Sequence, residues 1–600
     1  MLVTAPFSLS QRLGFSVIFL VLTMGLLSNL KLKQASATDK TQVFLNSGWS
    51  TSSTARGDQG GSRDGSEWTS VDPRDHFVRV HNGQLVLAGH PFRFAGLNAP
   101  ELLDGNVSGP FEIGHTFQTL SMRGSFARAV TRTYTLQINS RNIGRGHIKS
   151  WHREWKDWEW DEGRLKEIDR VLAEARKYGV KLIIPIINQD TGEDSNWVGS
   201  YADLIRMVST RNVHRRFLIT NGAFRDLQRK GLSTYEESTK VDWWTDHEMI
   251  ESQLIIDKLL NRVNHINGIR IGDDATILAF ETGNEMNCNG MRPAPASWTL
   301  KIAKHFKSRA PQILVMDGSF ARTESITGSY PIEVLQSKSV LSRYYTYGSE
   351  GAIRLTRPRC CFRYSDVDIL SYHYYGSGDS YRVKKDCEYV FGKHGKAFVA
   401  GEMGFFAEPS MYDSFLKDLH KYGGSGALVW SLRPASAGGG YKTHGEGNGN
   451  FAMHIPGWAT CSHPEFDPRE RQIISILRHH SYTMNHQKTP AQHPVPPAPS
   501  KVWLDPSSPD QTHLLWTSAP WAHSYELILR DLSTGHEYGR RQVWDCTKEG
   551  ESRLELSREL GAAPRRQLGV CLRGISLDGT PGPESEMLRL DSSIGNDLAI

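Results

Sequence analysis

The chain has 600 residues, 38% hydrophobic and 22% charged, which is enough apolar side chain for a large core and too long for one ordinary domain. Its formal net charge is only +5 and its basic residues form no long run, which argues against a nucleic-acid partner. Seven cysteines, none at zinc-site spacing and two of them adjacent (Cys360 and Cys361), make no disulfide framework, and the odd count leaves at least one thiol unpaired.

At the N-terminus, Arg12 precedes an apolar stretch from Leu13 to Leu30, and Ala35-Ser36-Ala37 supplies a small-x-small cleavage pattern before Thr38. Residues 1–37 therefore read as a secretory signal peptide. Because Lys31 and Lys33 follow the apolar stretch directly, an uncleaved membrane anchor is the alternative. Both readings put the body of the protein outside the cytosol, either secreted or anchored and facing outward. Residues 38–76 are rich in Ser, Gly and Thr and are expected to form a flexible leader. Asn106 in Asn-Val-Ser is an N-glycosylation sequon.

At Phe77 the texture changes. Phe77–Leu87 reads as a hairpin turning at Asn82-Gly83. Eight apolar runs then alternate with helical patterns: PFRFAGLNA, AVTRTYTL, KLIIPII, ILAFETGNE, QILVMDGSF, VDILSYHYY, AFVAGEMG and GALVWSLR. Each is apolar on both faces, as a parallel barrel requires. In the helix before KLIIPII, Leu165, Ile168, Val171, Leu172 and Ala175 share one face and Gly179 ends it. Thr245 and Glu248 have capping-box spacing ahead of a helix carrying Ile250, Leu254 and Leu259. With no Gly-rich dinucleotide or phosphate loop to favour an open sheet, residues 77–484 are expected to form an α/β fold, a (β/α)8 TIM barrel.

Residues 485–500 contain AQHPVPPAPS and read as a Pro-rich, semi-rigid linker. Beyond it, THLLW, SYELILRD, RLELS, QLGVCLRGI and EMLRLD are short, alternating and separated by turn residues. That predicts a small all-β sandwich over residues 501–592. Cys546 and Cys571 both lie inside it and could pair, with geometry deciding.

Functional side chains of such a barrel sit where strands end, at the C-terminal face. The fourth run closes on Asn284-Glu285 and the seventh on Glu402. Two carboxyl groups held about 5 Å apart can cleave a glycosidic bond with retention, one protonating the leaving oxygen and the other attacking. Either glutamate alone would be an ordinary rim residue; their joint placement on the fourth and seventh strands points to Glu285 as acid/base and Glu402 as nucleophile. Asn284 is placed to hydrogen-bond a sugar 2-hydroxyl. Arg132, a charge inside an apolar run, needs a partner, and Glu402 is the natural one, held ionised by it. His373 and Tyr375 point the same way along a strand, and the Tyr375 hydroxyl could reach the nucleophile. Trp430 ends the eighth strand and either floors the sugar site or packs in the core. Such chemistry calls for no cofactor and no metal.

These residues, in this order and on these strands, resemble glycoside hydrolase family 5. The resemblance runs from about Phe77 to His480. Within that family, FVRVHNGQLVLAGHPFRFAGLNAPELL and LLNRVNHINGIRIGDDATILAFETGNEM are most similar to endo-β-1,4-mannanases. Three places depart from that pattern. Met286-Asn287 stands where Pro-Arg is usual, and both the third-strand loop INQDTGEDSNWVGSYADL and the segment SLRPASAGGGYKTHGEG after Trp430 differ. The resemblance implies a polysaccharide substrate, mannan first, with another β-1,4-glycan such as cellulose or glucomannan as the alternative; the sequence leaves the oligomeric state open, with a monomer expected. A catalytically inactive glycan-binding barrel is the reading of a different class, and the complete residue set argues against it. In the C-terminal unit, Trp516, Tyr525 and LRGISLDGTPGPESE resemble a fibronectin type III domain.

Overall fold

A computed structural model of the chain describes residues 76–188, 250–285, 296–318, 366–507 and 513–590, apart from short stretches within them such as 139–145 and 557–567. The N-terminal apolar stretch, the leader up to residue 75, Asn106 and the Thr245/Glu248 pair lie outside the described residues. Among the described residues, no helix is long and apolar enough to cross a membrane.

All eight apolar runs form strands: β1 Phe94–Leu97, β2 Val130–Arg132, β3 Lys181–Pro185, β4 Ile277–Glu281, β5 Leu314–Asp317, β6 Ile369–Tyr375, β7 Ala397–Gly404 and β8 Gly426–Val429. They pair in parallel, in chain order from β2 round to β8, and β8 then pairs with β1. Ala99 N–H closes the ring by donating to Arg132 O at 2.8 Å, and Thr131 Oγ1 donates to Leu97 O at 2.7 Å. A Cβ on Gly96 would lie 2.8 Å from Val130 O, so glycine permits this close approach.

Alternation along each strand divides the core in two. Inward side chains such as Phe94, Val130, Ile183, Met316 and Val399 fill the lumen together with Val78, Leu85 and Leu87 from the expected hairpin. That hairpin turns at Asn82 and Gly83, both at positive φ. Outward side chains such as Leu97, Ile184, Phe280 and Leu370 meet the surrounding helices. Helix α1 spans Pro110–Ser121 and α2 Glu162–Tyr178. Asp161 caps α2 by accepting from Arg164 N, the five predicted apolar residues are all buried, and Gly179 at φ +67° ends it. Burying each such aliphatic side chain contributes roughly 2 kcal/mol.

The C-terminal unit has two antiparallel sheets: β9 Val502–Leu504, β10 His513–Trp516 and β13 Leu554–Glu555 in one, and β11 Ser524–Asp531, β12 Glu537–Val543, β14 Leu568–Ile575, β15 Pro581–Glu584 and β16 Leu588–Leu590 in the other. Leu514, Trp516, Tyr525, Leu527, Val570 and Leu572 share its core, and Tyr525 Oη accepts from Ala519 N at 2.6 Å. The suggested Cys546–Cys571 pairing does not occur. Val570 and Leu572 face the core, so Cys571 between them points to the opposite face of β14, where its thiol is buried, free and beside Glu584. Cys546 instead bonds Cys461 of the barrel, with a Cα–Cα distance of 5.9 Å.

Barrel and sandwich belong to one compact unit. The Pro-rich stretch lies against both, with Arg478 donating to Pro490 O and Gln492 O and His493 bonding Asp578. Trp521 is buried against α1, its indole donating to Thr119 O at 2.8 Å.

Candidate active site

The site grows out of strand parity. Arg132 follows Val130 by two residues on β2, and Glu281 follows Ala279 by two on β4, so both point into the barrel above its apolar plug. His373 and Tyr375 extend the inward row of β6 in the same way. Glu402 gets there differently. Tyr372 pairs with Ala400 but His373 pairs with Glu402, so β7 carries an extra residue at Gly401. That bulge turns Glu402 inward, level with His373. A Cβ on Gly401 would sit 2.5 Å from Ser371 Oγ and 3.0 Å from His373 Nε2, so the bulge requires a residue with no side chain. Asn98, just past the end of β1, fixes it by donating to Gly401 O and Leu428 O.

One guanidinium organises the centre. Arg132 Nε donates to Glu281 Oε2 at 2.8 Å, Nη1 to Glu402 Oε1 at 2.7 Å and Nη2 to Asn284 Oδ1 at 2.5 Å. Asn284 Nδ2 donates to Asn188 Oδ1 at 2.8 Å. The Tyr375 hydroxyl donates to Glu402 Oε2. His373 Nδ1 lies 2.9 Å from Glu285 Oε1 and 3.4 Å from Glu402 Oε2. A carboxylate oxygen of Glu285, one of Glu402 and a ring nitrogen of His373 all lie within 4.8 Å of one another. Glu285 is in the left-handed region at φ +51°, a backbone state that a non-glycine residue holds only when its surroundings enforce it.

Thus Arg132, Asn284, Glu285, His373, Tyr375 and Glu402 meet at one point. Trp430 ends the neighbouring strand, nearly buried, with its ring centroid 5.9 Å from that of Tyr134. Glu281 and Asn188 complete the network, and neither stands out in the sequence as a site residue. Glu281 does carry a signal, a carboxylate closing the apolar run ILAFE, but Glu285 four residues later competes for the same role.

The two expected catalytic carboxyls sit in different surroundings. The Glu285 side chain is 23% exposed and that of Glu402 only 3%. Burial pushes the Glu402 carboxyl up, and the charge of Arg132 pulls it back only in part. Burial likewise pushes Glu281 up to about 7 against the pull of Arg132. The physical reason is a mismatch of charge: two buried carboxylates share one guanidinium, so ionising both leaves a net negative charge out of water. Burial also holds His373 down at about 4, so its imidazole is neutral near pH 7.

A parallel barrel with paired carboxyls at its C-terminal mouth, one held by a cation and a phenol, is an arrangement suited to cleaving a glycosidic bond. Comparison with known proteins finds relatives named for such chemistry. Residues 154–342 match the family model described as GH family 5 beta-mannosidase-like. The chain is 25% identical over 234 residues to mannan endo-1,4-beta-mannosidase 1 of Oryza sativa subsp. japonica, covering 39% of this chain and 46% of that protein. It is 24% identical over 278 residues to mannan endo-1,4-beta-mannosidase 7 of Arabidopsis thaliana, covering 45% and 54% respectively. The chain thus spans about half the length of these curated relatives. Among solved structures it is similar to an endo-1,4-beta-mannanase from Rhizomucor miehei, with 18% identity, a TM-score of 0.45 and coverage of 68% of this chain and 100% of that one.

Proposed function

We propose that the chain is a retaining endo-acting β-1,4-mannanase with Glu285 as acid/base and Glu402 as nucleophile. The observation that carries this reading is that a carboxylate oxygen of Glu285 and one of Glu402 come within 4.8 Å of each other, which fits the short separation of a double displacement better than the wider one of a water-mediated inversion. In the first step Glu402 attacks the anomeric carbon while Glu285 gives its proton to the departing glycosidic oxygen. In the second, Glu285 takes a proton from water, whose oxygen displaces Glu402 and releases the sugar with its configuration kept. Arg132 and Tyr375 hold the two Glu402 oxygens and so aim the nucleophile. Asn284 keeps a second Nδ2 hydrogen for the sugar 2-hydroxyl, and neutral His373 orients Glu285. Trp430 supplies an aromatic surface at the same mouth.

Mannan as substrate is supported by the family match and the two plant relatives. Secretion is supported by the signal-peptide pattern of residues 1–37, and a fibronectin type III-like identity for residues 501–592 by its two-sheet arrangement and by Tyr525. The test is reducing-sugar release from linear mannan, galactomannan, glucomannan and carboxymethyl cellulose. Preference for the mannans is expected, with turnover abolished by Glu285→Gln and by Glu402→Gln in folded protein. Hydrolysis of the glucan alone would move the substrate to cellulose and keep the two-glutamate chemistry.

A further inference from the structure

The segment following Trp430 forms a wall beside the site. Ser431 N donates to Phe451 O at 3.1 Å, Met453 N to Ser431 O at 2.8 Å and Arg433 N to Met453 O at 3.0 Å. Phe451 packs on Phe405 with ring centroids 3.5 Å apart, and Phe405 stacks on Tyr375 at 4.6 Å. Tyr375 is the residue that grips Glu402. Displacing residues 431–453 would therefore displace the aromatic surface behind the nucleophile.

This wall does not close on barrel residues alone. At its turn, residues of the sandwich loop after β12 lie alongside it as an added strand. Tyr441 N donates to Thr547 O at 2.9 Å, Glu549 N to Tyr441 O at 2.8 Å and Gly550 N to Gly439 O at 3.3 Å. A Cβ on Gly440, which sits at φ +70°, would lie 2.3 Å from Lys548 O, so the contact requires glycine. Glu549 accepts from Ser436 Oγ at 2.5 Å and pairs with Lys442 Nζ at 3.3 Å. The Cys461–Cys546 disulfide staples the same junction, and Tyr441 is buried there with Trp458 and Phe466. Backbone ladder, glycine fit, ion pair and disulfide thus converge on one short sandwich segment.

We propose that residues 545–551 of the sandwich are a positioning element of the hydrolase: they complete the loop after β8 and hold the aromatic wall of the glycan cleft in place. The proposal rests on the hydrolase reading above. It also assigns the sandwich a role as a fixed part of the catalytic unit, in place of an independent binding module.

Three full-length variants test it. Cys461→Ser with Cys546→Ser removes the staple, Gly440→Ala blocks the added strand, and Glu549→Ala, the mildest, cuts only the side-chain ties. Amide hydrogen exchange should rise in peptides covering 431–453 while β7 stays protected. On the glycan that the wild type hydrolyses best, KM should rise about three- to tenfold with kcat held within about twofold, the signature of lost positioning rather than lost chemistry. A sandwich that only stabilises the fold would lower the melting temperature without moving KM, and unchanged KM in a variant with faster exchange at 431–453 overturns the proposal. So does unchanged exchange in all three folded variants. A wild-type chain that cleaves no glycan sinks the hydrolase reading, and exchange, read without substrate, still decides whether 545–551 holds the wall.

Discussion

Arg132 is the residue on which the site's electrostatics turn, because it stands between Glu281 and Glu402 in a space closed to water. Glu281 has a folded pKa of about 7, above the ordinary carboxyl value of 4.5. The unfolded chain therefore loses that proton first. The stability tied to the neutral carboxyl is complete below pH 4.5 and is lost as pH rises through 7. Glu281→Gln removes this loss, so its stability relative to wild type should grow between pH 4.5 and pH 8, by on the order of 3 kcal/mol, in denaturant unfolding at the two pH values. An offset independent of pH would show that Glu281 is ionised throughout. Tyr375→Phe removes a donor from Glu402 alone and should lower kcat by about 10- to 100-fold with little change in fold. A smaller change in single-turnover rates would mean that Arg132 suffices to aim Glu402. Most of this site is legible in the sequence because a charged or amide side chain closing an apolar run must either find a buried partner or line a polar cleft. Glu281 and Asn188 are the exceptions; for Glu281, two carboxylates end the same run and a single sequence does not say which one the barrel swallows.

The strand that carries Glu402 works only because it is irregular. Gly401 adds the residue that turns Glu402 inward, and its missing side chain leaves room for Ser371 and His373. Gly401→Ala should cost about 1–3 kcal/mol in overpacking and, by pushing His373 off Glu285, lower kcat by more than about tenfold. Comparing melting temperature and kcat in that variant separates the two effects. Wild-type turnover from it would mean that the bulge relaxes without moving His373. No apolar pattern announces a bulge, so AFVAGEMG reveals the strand and its glutamate but not how the glutamate is aimed. The same limit explains β12, whose sequence EYGRRQV has no alternation to read. It is a polar edge strand recruited by β11, and partners rather than its own side chains decide its conformation. The barrel strands are the opposite case, each apolar on both faces and so readable one at a time.

At the scale of the whole molecule, the division into barrel, linker and sandwich is a division of sequence texture rather than of mechanics. Arg478 holds the Pro-rich stretch, Trp521 is sunk against Thr119 and Phe126, and the Cys461–Cys546 bond closes 85 residues of chain across the junction. The Trp521 contact and the disulfide join residues far apart in sequence, which is why composition points to a linker where the fold has a seam. A buried tryptophan truncated to alanine typically costs about 3–5 kcal/mol, so Trp521→Ala should destabilise the barrel as much as the sandwich. A disulfide closing a loop of this size contributes up to about 4 kcal/mol, and its removal should act on both units too. Calorimetry should accordingly show one cooperative transition for the intact protein. A chain ending at residue 484 bares the face of α1 under Trp521 and the turn at Tyr441, and it should melt earlier or aggregate. Two separate transitions in the intact protein, one of them matching the truncated barrel, would instead show that the sandwich unfolds on its own and that the seam couples nothing.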